Sequence, residues 1–168
     1  MIMHIPRIYY FIDDLNENHI TKLKKNVAII YRNYSQKADI NKIIKFNKIC
    51  KKNKRLFFIS NNIKLAIKLD LNGAYIPAFN NKINLSHYKK KNFLFLGSAH
   101  SIKEIIIKEK QGVDCIFISP LFLTSKTNKF LGITNFKKLS NHTNKKVIAL
   151  GGLNKKNLHK IKVLNVHG

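Results

Sequence analysis

Residues 93–119, FLFLGSAHSIKEIIIKEKQGVDCIFIS, decide how the chain folds. An apolar run at 93–97 leads through a polar turn into 101–111, where Ser101 and Glu104 match a capping box at the head of a helix. A second apolar run at 115–119 follows. Short runs that are apolar throughout are what parallel strands covered on both faces require. Working outward, the same alternation recurs. Runs at 8–12, 27–31, 56–59, 73–76 and 147–150 join the first two as expected strands, with helices expected at 18–25, 39–52, 62–71, 101–111, 135–141 and 154–162. In 39–52, Ile40, Ile43, Ile44 and Asn47 interleave with lysines in a two-sided pattern. No linker or low-complexity block interrupts the series, so a single domain over 1–168 is expected. The alternation predicts an α/β chain, a TIM-type β/α barrel lacking its last strand-helix unit. A flavodoxin-like open sheet, which normally needs only about five strands, is the alternative. Val166, His167 and Gly168 stand where an eighth strand is expected to begin. An open edge is therefore expected, closed by a rearranged segment or covered by a second copy in a homo-oligomer.

Composition narrows the function classes. Of 168 residues, 45% are hydrophobic and 24% charged, which suits one globular core. No apolar run approaches the roughly 20 residues of a membrane span. The opening MIMHIPRIYYFIDD carries Arg7 inside its apolar stretch and reaches Asp13 and Asp14 without a small-residue cleavage site. No membrane partner and no secretory signal are expected, and the expected location is cytoplasmic. Thirty-two Lys+Arg against eight Asp+Glu give a formal charge of +24, which alone suggests a polyanion partner and a steep salt dependence. Yet only Arg7, Arg32 and Arg55 are arginines, the residue that reads bases bidentately. The lysines are scattered through every segment beside Asn and Ile, as A/T-rich codon usage produces. A solvated cationic surface with no specific nucleic-acid partner is the expectation. Cys50 and Cys115 have no CxxC or metal spacing and read as reduced, buried thiols. His4, His19, His87, His142, His159 and His167 share no zinc-type spacing, and Tyr9, Tyr10 and Phe11 read as core.

A few residues have the chemistry to hold an anion. Gly151 and Gly152 follow an apolar strand and precede the helix expected from Asn154, which would turn backbone N–H groups toward a phosphate. A tight turn without a ligand is the other reading. Arg32, ending the second strand, can grip phosphate oxygens bidentately or form a surface ion pair. Ser98, Thr124 and Ser125 offer hydroxyl donors or ordinary loop chemistry, and His100 either titrates in the turn after strand five or caps the next helix.

Several motifs then fall in one order. They are Ile29-Ile30-Tyr31-Arg32; Ser60-Asn61-Asn62 with Leu65, Ala66, Leu69, Asn72-Gly73-Ala74 and Tyr75-Ile76-Pro77; Gly97-Ser98-Ala99-His100-Ser101; FISPLFL at 117–123 with Thr124-Ser125-Lys126; and VIALGG at 147–152. Together they resemble the thiamine-phosphate synthase/TenI family. The resemblance implies a transferase of thiamine biosynthesis. In that reaction a thiazole phosphate displaces pyrophosphate from a hydroxymethylpyrimidine diphosphate, with magnesium assisting departure. It assigns Arg32, Ser98 and Lys126 as catalytic groups around the diphosphate. Ser60, Asn61, Thr124, Ser125, Gly151 and Gly152 become substrate-binding residues, with the two glycines on the thiazole phosphate. It puts the family's Mg2+ carboxylates at Asn61 and Asn80, neutral amides that are weak ligands for a hard cation. Ser60 replaces the family's asparagine, Ile30 its glutamine, and Ala78 stands where a second glutamine is usual. Asp13 and Asp14 are the carboxylates expected nearest the site. A TenI-type thiazole tautomerase would carry its active-site histidine where this chain has Pro120, and a noncatalytic phosphate-ligand-binding relative is the reading from outside enzymology.

Overall fold

The computed structural model describes residues 4–34, 39–125 and 127–168. Elements follow one another as β1 (Ile8–Ile12), α1 (Asn18–Thr21), β2 (Val27–Tyr31), α2 (Ile40–Lys52), β3 (Phe57–Ser60), α3 (Ile63–Lys68) and β4 (Gly73–Ile76). After a 3₁₀ turn at Ser86–Tyr88 come β5 (Leu94–Ala99), α4 (Ile102–Lys110), β6 (Cys115–Ile118), α5 (Gly132–Ser140), β7 (Lys146–Ala149) and a 3₁₀ segment at Leu158–Val163. Among the described residues β1–β2, β2–β3, β3–β4, β5–β6 and β6–β7 pair in parallel, as expected of β/α repetition. The fold is of the TIM type. The chain divides into two compact units, Met1–Tyr75 with Tyr88–Leu94, and Ile76–His87 with Phe95–Gly168.

In the first unit β1 to β4 lie side by side. Ile29, Ile30, Phe57, Phe58 and Ala74 are fully buried or nearly so, the pattern of strands covered on both faces. β1 departs from it: Ile8 and Tyr10 are exposed while Tyr9 and Phe11 turn inward, Tyr9 toward Phe58 and Phe11 edge-on to Tyr75 with 5.3 Å between centroids. Tyr10 is thus not core, because β1 has a neighbour on one side only and alternates. α2 is capped by Asp39, which accepts from Lys42 N, and buries Ile43, Phe46, Asn47 and Cys50. That stripe follows i, i+3, i+4, i+7, so Ile40 and Ile44, read from the sequence as part of the apolar face, are left exposed. α1 is four residues long where eight were expected, and Arg55 supplies the reason. Its buried guanidinium donates to the carbonyls of Ile20, Leu23, Lys24 and Val27, drawing them away from a continuing helix.

In the second unit β5, β6 and β7 pair in the registers Leu96↔Cys115 and Cys115↔Lys146. Phe95, Leu96, Ile116, Phe117 and Ile118 are wholly buried, and Phe136 of α5 closes the layer. Ser101 caps α4 by accepting from Glu104 N, as expected, but the Glu104 carboxylate reaches back to His100 N instead of its own cap residue. The helix expected over 154–162 is only the 3₁₀ segment. Asn154 Oδ1 takes the N–H groups of Lys156 and Asn157, and Asn157 Oδ1 takes that of Asn154, so side chains satisfy donors a helix would have ordered. At the end of the chain His167 N donates to Val147 O and Ala149 N to Gly168 O, both at 2.8 Å. The expected open edge along β7 is therefore partly met by the chain's own last residues.

Candidate functional site

Within the first unit the residues after β2 and β3 form one cluster. Arg32 N donates to Ile12 O at 2.8 Å, and its guanidinium lies 4.9 Å from the Phe11 ring centroid. This is a cation–π stack, which holds the charge in place while leaving the fork able to donate. Among the described residues no carboxylate pairs with Arg32, so the ion-pair alternative is not what the side chain does. Tyr34 Oη and Ser60 Oγ are 2.6 Å apart. Burial pushes the Tyr34 hydroxyl above its usual pKa, while the Ser60 hydrogen bond and the positive charge of Arg32 pull it back. Arg32, Tyr34 and Ser60 thus act on one another. Asn61 follows with a φ of +56°, its N–H donating to Tyr75 O, and is exposed. Asp13 and Asp14 are exposed after β1; Asp13 O accepts from Asn33 Nδ2, and both carboxylates raise the pKa of Tyr31, behind its burial as the leading cause.

Within the second unit Ser98 sits inside β5 opposite Phe117 and is buried, where a turn position was expected. His100 Nδ1 is 2.7 Å from Ser119 O and 3.3 Å from Ser119 Oγ, which ties the end of β5 to the end of β6. The Ser119-Pro120 peptide that follows is cis. Thr124 forms an isolated bridge with Thr127, and Ser125 is exposed in the turn between them. Lys126 lies outside the described residues.

The tightest geometry belongs to Gly151 and Gly152, with φ of +94° and +69°. A Cβ on Gly151 would come within 2.8 Å of Pro120 Cα and Cβ, and one on Gly152 within 2.4 Å of Leu123 O. Only glycine fits at either place. Leu121 N donates to Leu150 O and Phe122 N to Gly151 O, so the loop after β6 forms the floor of this turn. Asn157 Nδ2 donates to Gly152 O at 2.7 Å and holds that peptide from the other side. Among the described residues the N–H groups of Gly151, Gly152 and Leu153 have no acceptor. Successive donors without an acceptor, in a turn where Gly151 and Gly152 have positive φ, have the chemistry to hold an anion. A helix N-terminus does not contribute, since no helix starts at Asn154.

Asn80 tests the metal expectation. Its Oδ1 accepts from Lys82 N at 3.0 Å, and its carbonyl accepts from Lys108 Nζ at 2.8 Å and Gln111 Nε2 at 2.7 Å. A neutral amide already engaged, beside an ammonium group, does not fit a hard dication that selects anionic oxygens. Among the described residues no three His, Cys, Asp or Glu side chains are grouped as metal ligands. Lys108, Gln111, Tyr34 and Asn157 were not singled out from the sequence. Lys108 shares a helix face with Ile105 at i, i+3, a legible signal that the abundance of lysine concealed.

Comparisons with known proteins agree with this architecture. The profile of the family described as "Thiamine monophosphate synthase" matches residues 15–168. The relative named "Putative thiamine-phosphate synthase 2" from Aquifex aeolicus is 29% identical over 177 residues, covering 99% of this chain and 94% of that protein. A thiamine-phosphate synthase from Prochlorococcus marinus is 31% identical over 159 residues, and there the chain spans 46% of the relative's length. In three dimensions the chain is similar to thiamine phosphate pyrophosphorylase from Pyrococcus furiosus, with a TM-score of 0.73, 20% identity, and coverage of 97% and 84%. At that identity the likeness speaks for the fold. No helix among the described residues is long and apolar enough to cross a membrane.

Proposed function

Since the chain belongs to the thiamine monophosphate synthase family, we propose that it joins a hydroxymethylpyrimidine diphosphate to a thiazole phosphate in the cytoplasm, releasing pyrophosphate and forming thiamine phosphate. The methylene C–O bond breaks with its electron pair leaving on pyrophosphate, and the thiazole nitrogen lone pair forms the new C–N bond. The observation that carries the reading is the row of free N–H groups at Gly151, Gly152 and Leu153, suited to a phosphate monoester. Arg32 is assigned to the diphosphate, where a guanidinium stacked on Phe11 stabilises charge developing on the leaving group. Ser98 and Lys126 are assigned beside it, with Ser60, Asn61, Thr124 and Ser125 as further donors. The surroundings of Asn80 do not fit a magnesium ion.

The test mixes both substrates with the full chain and follows pyrophosphate and thiamine phosphate together. Turnover is expected, with Arg32→Ala costing at least tenfold more than substitution of the exposed Lys110. Equal losses would mean that bulk charge alone matters. Saturable thiazole phosphate binding without product would instead identify a noncatalytic relative. A tautomerase reading has one observation in its favour: an imidazole, from His100, does lie beside the residue preceding Pro120. Isomerisation of the thiazole without pyrimidine substrate, lost in His100→Ala, would support it.

A further inference from the structure

Lys108 is fully buried, yet it is charged and its amine is spent entirely on the protein. Its stem runs past Gly97, where an added Cβ would meet Lys108 Cδ at 3.0 Å, so the glycine of β5 clears its path. Beyond it, Nζ donates to Pro77 O and Asn80 O at 2.8 Å and to Gln111 Oε1 at 2.9 Å. Three ammonium protons meet three oxygens. Gln111 then donates to Asn80 O and to Lys82 O, so two side chains at the end of α4 anchor the stretch 77–82 through four carbonyl contacts. The oxygens surround a cationic centre much as metal ligands would. Their distances, however, suit an ammonium ion: magnesium demands about 2.0–2.1 Å and calcium about 2.3–2.6 Å.

We infer that the loop after β4 is organised by the Lys108 ammonium group as an internal cation, and takes no divalent metal ion. Desolvation opposes burying this amine in its charged form, and the arrangement is tolerated because each of its three donors meets an oxygen. Lys108 is a positioning residue, acting through backbone carbonyls. The inference rests on the proposed function only for treating Asn80 as the metal position, and its test does not depend on turnover.

Manganese serves as the probe on the full chain, with bound ion read by electron paramagnetic resonance. Uptake by the unaltered protein and by Asn80→Ala is expected to be the same. Saturable uptake that disappears in Asn80→Ala would overturn the inference. In Lys108→Met, which keeps the volume and removes the charge, amide hydrogen exchange over 78–82 is expected to rise at least tenfold while β6 stays protected; unchanged exchange would also overturn it. Should that variant not fold, nitrogen-15 spectra of the unaltered protein at neutral pH decide. A lysine ammonium signal protected from water exchange is expected, and its absence counts against the inference.

Discussion

Replacing Gly151 by alanine probes the proposed cradle at its most constrained point. A φ of +94° is a conformation L residues rarely adopt, and holding a non-glycine residue in such a region costs about 1–3 kcal/mol. The new Cβ would also stand 2.8 Å from Pro120 Cα and Cβ, atoms of backbone and ring that cannot swing aside. Relief requires the segment around Pro120 to move, and that segment is held by Leu121 N to Leu150 O and by Leu131 N to Pro120 O. Overpacking of this kind costs about 1–3 kcal/mol. The expected loss is therefore roughly 2–6 kcal/mol, a large part of the ~5–15 kcal/mol that stabilises a domain. Gly112→Ala is the control, because its φ of +71° carries similar strain with nothing within 4 Å of the added Cβ. Urea unfolding followed by circular dichroism measures both variants, and calorimetry with thiazole phosphate reads the cradle. Gly151→Ala is expected to lose clearly more stability than Gly112→Ala and to weaken thiazole phosphate at least tenfold. Equal stability losses, with unchanged affinity, would refute both the steric argument and the assignment of the turn.

Four other outcomes follow from the same structure. Arg55→Met strips the partner from four carbonyls, and a stability loss above about 3 kcal/mol in urea is expected, given ~1–3 kcal/mol for each buried group left unpaired; a loss under 1 kcal/mol, which would place it with surface substitutions, counts against the role given to Arg55. Burial pushes the Cys50 thiol up to about 12, so the native chain at pH 8 is expected not to react there with a thiol reagent until it unfolds, and rapid labelling of native Cys50 would contradict its burial. Desolvation lowers Lys108 from 10.5 to about 8, with Glu104 opposing; the unfolded chain then binds the extra proton between those values, so the term opposing folding is full below pH 8 and lifts as pH rises. At roughly 1.4 kcal/mol per pH unit it amounts to about 3 kcal/mol, and the stability of the unaltered protein minus that of Lys108→Met should climb by up to that amount from pH 7.5 to 10.5, where a flat difference would be inconsistent. Finally, thiazole phosphate binding is expected to vary little between 50 and 200 mM salt, whereas nonspecific nucleic-acid binding through ~6–10 phosphate contacts falls by about 10³–10⁵ over that range.

What the sequence made legible was the repeating unit. β5, α4 and β6 lie within one or two residues of the segments read from 93–119, because uninterrupted apolar runs and a Ser101 cap are local signals. The failures are tertiary. α1 stops early because Arg55, 31 residues beyond Lys24, takes its carbonyls, and no pattern near 18–25 announces that. The segment after Gly152 lacks its helix because Asn154 and Asn157 exchange side-chain hydrogen bonds, which asparagine-rich composition made look ordinary. At the site, the turn at Gly151 and Gly152 was legible, since paired glycines after an apolar strand mark a turn, and both have positive φ. Tyr34 was not, since its link to Ser60 spans 26 positions of sequence.

A net charge of +24 would draw any phosphate toward this protein, but exposed lysines are screened beyond a Debye length of about 8 Å at physiological ionic strength and cannot fix where the phosphate stops. Position has to come from groups that cannot rearrange. Gly151 and Gly152 are of that kind, since Pro120 and Leu123 leave no room for any side chain, and Asn157 holds the intervening carbonyl. Lys108 is of that kind as well, because its three donors are consumed inside the fold and none reaches for solvent. On the proposed reading the abundant cations govern how often an anion arrives, and uncharged N–H groups govern where it stops, while the interior ammonium holds only the loop at 77–82. That division is how a chain with many lysines and only three arginines could keep one constrained turn for the proposed phosphate.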